Sequence, residues 1–273
     1  MMASDSEPSD VHRFYVDARF GQLHVRAASP IEATQHRPLL CFHLSPLSGI
    51  VYETWLGEIG KDRLALAPDT PGYGMSDPPD AQPSIGDFAA AMGDLMDALE
   101  LTEADVMGYH TGSKICVELA RQRPNQIKHL VLISAPVYTE EELASQYAQM
   151  GEDRPPADDG SHLLEAWAGH WRWRGPEQSA AALMRIFPDA LRGGERRPWG
   201  HRAAFSYQHT DHLPEVTQPV LVINPNDDLT AFTARIEPYL NNGRVVNMEH
   251  WGHGFLDSQP AEAGALIREF LNE

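Results

Sequence analysis

Strand-like and helix-like segments alternate along most of this 273-residue chain, and that order restricts the fold more than any other feature. Short runs rich in apolar and β-branched residues occur at His12 to Val16, Leu23 to Ala27, Pro38 to His43, Leu64 to Ala67, Ala104 to Tyr109, Lys128 to Ser134, Val220 to Asn224 and Arg244 to Met248. Nearly all-apolar runs of this length belong to strands covered on both faces. Helical patterns stand between the later ones. Ser84 precedes a stripe of Phe88, Met92, Leu95, Met96 and Leu99 at helical spacing, which predicts a capped amphipathic helix. A second helix begins near Gly112 and is stopped by Pro124, and a third spans Ala261 to Leu271. The predicted fold class is α/β: a mostly parallel, eight-stranded sheet with helices on both faces.

The alternation breaks between Val137 and Leu213. Four tryptophans fall there (Trp167, Trp171, Trp173 and Trp199), with helical patterns interrupted by Pro and Gly. An insertion after a strand of a parallel sheet sits over the carboxyl ends of the strands, where such sheets bind ligands. The expected organisation is therefore a disordered tail over 1–10, a core made of 11–137 and 214–273, and an inserted helical cap over 138–213. The cap tryptophans motivate a preference for a substrate with an apolar or aromatic part.

Charge narrows the partners. Acidic residues outnumber basic ones 39 to 21, a formal net charge of −18. A polyphosphate needs basic surface, so nucleic acid is excluded, and anionic membranes are disfavoured for the same reason. Cys41 and Cys116 lie in apolar segments, cannot build a disulfide framework and fit a reducing cytoplasm. No run approaches the ~18 apolar residues of a membrane span, and the opening MMASDSEPSD lacks the basic and apolar regions of a secretion signal. A cytoplasmic protein acting on a small molecule is expected, with a homodimer left open and no cofactor implied.

The strongest chemical signal is Gly108-Tyr109-His110-Thr111-Gly112, where a strand ends and a helix starts. The turn forces its central residue into a strained conformation, and side chains two positions away would collide with neighbouring backbone. His110 is thereby pushed into the pocket at a helix amino end.

From about His12 to Leu271 the chain resembles the α/β-hydrolase superfamily, and this turn resembles its nucleophile elbow. Phe42-His43-Leu44-Ser45-Pro46 is similar to the family's oxyanion loop, with Leu44 in place of a glycine. The resemblance implies that the Ser45 and Thr111 amides face a developing oxyanion. Asp69-Thr70-Pro71-Gly72-Tyr73-Gly74-Met75-Ser76 resembles a turn-rich connection of the family and is read as structural. Asn226-Asp227-Asp228 follows the strand where the family carries its triad acid, and the register selects Asp228 over Asp227. Trp251-Gly252-His253-Gly254 stands where the triad histidine sits. The implied catalytic residues are His110, Asp228 and His253. Leu44, Trp167, Trp171, Tyr207 and His209 are the candidate substrate contacts.

The departure from the family is His110, where Ser, Cys or Asp is usual. Four readings follow. His110 attacks or positions water in a hydrolytic site on an ester-like bond, with His253 as base. Alternatively the His253–Asp228 dyad abstracts a proton in a cofactor-independent lyase, isomerase or oxygenase. A metal bound by His110, His253 and Asp228 is set aside, because Asp228 is expected to orient His253 rather than to face the same point. The last is a silent ligand-binding protein. Hydrolysis is preferred, because a dead site has no need of both His253 and Asp228.

Overall fold

A computed structural model describes residues 9–150 and 156–273. The tail expected over 1–10 falls outside the described residues as far as residue 8. The eight strands are β1 (His12–Ala18), β2 (Gly21–Ala28), β3 (Leu39–Phe42), β4 (Ala65–Pro68), β5 (Ala104–Tyr109), β6 (Ile127–Ile133), β7 (Val220–Pro225) and β8 (Gly243–Met248). They form one sheet in the order β1-β2-β4-β3-β5-β6-β7-β8. Only the pairings of β1 with β2 and of β2 with β4 are antiparallel. Each of the eight predicted runs became a strand; the inner, nearly all-apolar ones lie buried between two helical layers, whereas the edge strands β1 and β8 are largely exposed.

Those layers are α1 (Glu53–Ile59), α2 (Ile85–Ala98), α3 (Thr111–Gln122) and, at the end of the chain, α10 (Phe255–Ser258) and α11 (Pro260–Leu271). Alternation along β5 shows how the core divides. Val106 packs on one face with Phe88, Met92, Ile115 and Leu119 of α2 and α3. Met107, its neighbour, packs on the other with Trp55, Phe255 and Ile267 of α1, α10 and α11. Each such large side chain removed from water contributes roughly 1.5–3 kcal/mol before conformational entropy is counted. Helix α2 opens with a capping box in which Ser84 and Asp87 each hydrogen-bond the other's backbone N–H.

Between β6 and β7 the chain makes α4 (Glu140–Met150), α5 (Ser161–Trp173), α6 (Ala180–Arg192), α7 (Trp199–Phe205) and α8 (His209–His212), with the short α9 (Thr230–Thr233) following β7. Neither α4 nor α5 buries a residue. The insertion is fastened where it meets the sheet's carboxyl end. The Gly175 N–H donates to the His253 carbonyl at 2.8 Å, and the Gly200 N–H donates to the Tyr73 hydroxyl at 2.5 Å. A Cβ at Gly175 would stand 2.3 Å from that carbonyl, and one at Gly200 would stand 2.0 Å from Ser45 Oγ. Glycine allows the close approach at both.

Candidate active site

His110 sits between β5 and α3 with φ 50° and ψ −110°, in the left-handed half of backbone space that a side chain enters only at a cost. Its neighbours explain the turn. A Cβ at Gly108 would lie 2.1 Å from the Gly112 carbonyl oxygen, and one at Gly112 would lie 1.9 Å from that of Phe42. The His110 N–H donates to the Ile133 carbonyl at 3.0 Å, tying the turn to β6. Ser113, the hydroxyl nearest in sequence, turns away: its Oγ donates to the His110 carbonyl at 2.6 Å and lies 3.3 Å from His209 Nε2, fully buried.

Two imidazole–carboxylate pairs stand at this point. His253 Nε2 is 2.7 Å from Asp228 Oδ1, and His110 Nε2 is 3.3 Å from Asp227 Oδ2. The rings lie edge to face with centroids 5.3 Å apart. Among the described residues no hydrogen bond joins the two imidazoles, so each histidine has its own acid instead of sharing a linear relay. The register that favours Asp228 leaves Asp227 without a role, and the adjacent Asp227-Asp228 pair is the signal in the sequence that both acids serve the site. Its side chain is wholly buried, and it also accepts from Ser134 Oγ at 2.5 Å and from the Leu229 N–H at 2.8 Å.

The charges follow from these contacts. Burial pushes the Asp227 carboxyl upward, but hydrogen bonding and charge from His110, then His253 and Ser134, outweigh it and hold it down at about 2. Asp228 is likewise lowered, burial being overcome by its hydrogen bond with His253. His253 moves the opposite way. Burial alone would lower it, but the Asp228 hydrogen bond and both carboxylate charges raise it above the ordinary imidazole value. Its other nitrogen, Nδ1, is 3.2 Å from the Tyr109 hydroxyl. Burial, reinforced by Asp227 and Asp228, pushes that phenol well up, so it stays an O–H donor.

All four ligand-type atoms of His110, Asp227, Asp228 and His253 lie within 4.8 Å of one another. Contrary to the expectation that Asp228 only orients His253, it bonds that imidazole and also faces the same point as the other three.

The loop after β3 is held by buried polar contacts. His43 Nε2 accepts from the Thr70 N–H at 3.0 Å, which leaves Nδ1 to donate to the Leu44 carbonyl at 3.0 Å. Asp69 accepts from the Gly49 and Met75 N–H groups, both at 2.9 Å, and pairs with Arg26 at 2.8 Å and His24 at 2.9 Å. The structural role expected of the Asp69–Ser76 stretch fits these bonds, and His24 is buried among them. Ser45 and Thr111 are both buried, and neither backbone N–H has a protein acceptor among the described residues.

A cavity of about 370 Å³ opens onto this point. Leu44, Ser45, His110, Asp228 and His253 line it as expected positions, joined by Tyr109, His170, Trp173, Arg197 and His201. The other expected contacts lie elsewhere. Trp167 packs edge-on against Phe187, and Trp171 stacks on Trp167 with the Arg174 guanidinium 3.5 Å above its ring. Tyr207 bonds Glu118 through its hydroxyl and receives Lys114 Nζ at its carbonyl. His209 is buried between Ser113 and the Pro136 carbonyl. These four side chains build the insertion and its seat on α3, and no sequence periodicity separates that role from lining a cavity. Burial, together with the Arg197 charge, pushes His170 down to about 4, and burial with His110 and Arg197 does the same to His201. Both face the cavity as neutral rings at pH 7.

A strained elbow on a mostly parallel sheet, two His–Asp pairs and two amides without a protein acceptor beside a cavity make this the candidate active site of an α/β protein. The family model for the alpha/beta hydrolase fold matches residues 61–260, and the chain belongs to that family. It is 26% identical over 255 residues to a non-heme chloroperoxidase of Streptomyces lividans, covering 82% of this chain and 87% of that one. Similarity to the 2-hydroxymuconate semialdehyde hydrolase of a Pseudomonas species is 32% over 102 residues, 36% of each chain. The chain spans between 25% and 36% of the length of the first curated relatives it matches. Among solved structures, the enol-lactonase of Burkholderia xenovorans superposes with a TM-score of 0.75 at 19% identity, over 95% of this chain and all of that one. No described helix is long and apolar enough to cross a membrane.

Proposed function

We propose that this protein hydrolyses an ester-like or other carbonyl-activated bond of a small, partly apolar molecule. His110 and His253 carry the chemistry, and the insertion over residues 138–213 acts as a cap on the site. The observation that supports it best is the pair of separate His–Asp contacts at the cavity, 2.7 and 3.3 Å long. In this scheme His110, held by Asp227, positions the attacking water in place of a covalent nucleophile. His253, held through Nε2 by Asp228, receives the water proton at Nδ1 by way of the Tyr109 hydroxyl and returns it to the leaving oxygen. The tetrahedral oxyanion is met by the Ser45 and Thr111 N–H groups. Relatives named hydrolase, carboxylesterase and lactonase are consistent with acyl chemistry on this fold.

Turnover of p-nitrophenyl acetate and of a panel of lactones tests this directly. His253→Ala is expected to lower kcat/KM by about two orders of magnitude or more, and an unchanged rate overturns the assignment. His110→Ala separates the alternative: hydrolysis with a positioned water loses about two orders, whereas proton abstraction by the His253–Asp228 dyad tolerates the change. The absence of a hydrogen bond between the imidazoles favours keeping that alternative, because His253 and Asp228 already form a complete dyad.

A further inference from the structure

We propose that His110, Asp227, Asp228 and His253 form a binding site for one divalent transition-metal ion, zinc above all, and that its occupancy suppresses the hydrolytic chemistry. The second clause rests on the function proposed above; the first does not. Zinc takes four ligands at about 2.0–2.2 Å, imidazole nitrogens and carboxylate oxygens among them, which places ligand atoms about 3.3–3.6 Å apart around a tetrahedron. Two imidazoles and two carboxylates converge here with all four ligand atoms within 4.8 Å, so shifts of about 1 Å in individual side chains bring them to that spacing.

Three further observations support the ligand set. The nitrogen of His253 away from the cluster lies 3.2 Å from the Tyr109 hydroxyl, which can accept its N–H and fix Nε2 as the ligand, the usual outer contact of a metal-bound histidine. Asp227 is held from behind, its Oδ1 accepting the Leu229 N–H at 2.8 Å, so Oδ2 can turn to an ion without freeing the side chain. The two adjacent carboxylates place two negative charges at one point, where the facing side chains are His110, His253, His201, Tyr109, Tyr138 and Ser134, none of them a fixed cation. A dication meets that demand with one particle. The residue type at the elbow is what completes the set: at the same position a hydroxyl side chain would leave one imidazole and two acids.

An ion bound this way occupies the Nε2 lone pairs of both histidines and replaces the hydrogen bond from His253 to Asp228. The proton path through that dyad is then closed. With all four positions of the ion filled by protein, none is left for an activated water, so the bound metal blocks turnover instead of replacing the dyad.

The test uses the full chain stripped with EDTA, then titrated with ZnCl2 by calorimetry and with CoCl2 by visible absorption. One zinc per chain is expected, with the intense visible bands of four-coordinate cobalt(II). His253→Ala and Asp228→Asn should each weaken zinc binding at least tenfold, while His250→Ala, at an exposed histidine paired with Glu262, should leave it unchanged. Asp228 is exposed, so its replacement keeps the test sound if His253→Ala fails to fold. Absence of stoichiometric zinc, or equal affinity in the site variants and the parent, overturns the site. Ester turnover with and without zinc reads the second clause: loss on addition and recovery with EDTA are expected, and turnover unchanged or raised by bound zinc overturns it. A chain that binds zinc but hydrolyses nothing without it would fail the proposed function and leave the metal site standing.

Discussion

Asp227→Asn should cost about 2 kcal/mol at pH 7, and the cost should shrink as the pH falls. The side chain is wholly buried, and the hydrogen bond and charge of His110, then the His253 charge and the Ser134 hydrogen bond, overcome that burial and hold the carboxyl at about 2 against an ordinary 3.8. Asparagine has nearly the same shape. Its oxygen can still accept from Leu229 and its amide can donate toward Ser134, so the change chiefly removes the charge. A difference of nearly two pKa units corresponds to roughly 2 kcal/mol of differential stabilisation. A folded-state value below the unfolded one means that this stability is complete above the unfolded pKa and is lost as the pH drops through the folded one. The wild-type chain should therefore lose ~0.3 kcal/mol of this advantage by pH 4 and ~1 kcal/mol by pH 3. Urea unfolding of both proteins at pH 7, 5, 4 and 3 measures the gap. A gap that stays constant across that range, or an Asn variant as stable as the parent at pH 7, would refute the assignment of the buried charge.

Three further outcomes are expected. In the proposed scheme His253 must be neutral to act as base, so kcat/KM should fall as the pH drops through a value above the ordinary 6.5; Asp228→Asn should move that limb to lower pH, and a pH–rate profile of the pair checks it. Gly112→Ala should destabilise by ~3 kcal/mol or more, because its Cβ would meet the Phe42 carbonyl oxygen at 1.9 Å; Gly169→Ala, with nothing within 4 Å, should be neutral or stabilising in the same melting experiment. His43→Ala removes the acceptor of the Thr70 N–H and the donor to the Leu44 carbonyl, so the Ser45 loop loosens; kcat should drop about tenfold with less change in KM, and a proportionate rise in KM would argue against a role for that loop in the transition state.

Strands and the elbow were legible because each reflects a constraint local in sequence. An apolar run from Ala104 to Tyr109 can be satisfied only between two layers, and a glycine two residues either side of His110 reports a turn whose neighbours leave no room for Cβ. The site was legible only in outline. His110, Asp228, His253 and Leu44 were named from their places in that outline and do line one cavity. A motif with one acid does not reveal Asp227, whose carboxylate reaches His110, because that contact joins two loops distant in sequence. The insertion was least legible. Trp167, Trp171, Tyr207 and His209 build it or seat it on α3, while Trp173, Arg197 and His201 reach the cavity.

The amino-acid order alone determined an α/β sheet with the strand-to-helix turn at His110, since periodicity, glycine spacing and capping act over a few residues. Which acid serves which imidazole, which side chains between β6 and β7 face the cavity and whether four ligand atoms meet at one point were decided only by the tertiary structure. Those relations join residues more than a hundred positions apart, as His110 and Asp227 are, and they depend on side-chain directions that no local pattern records.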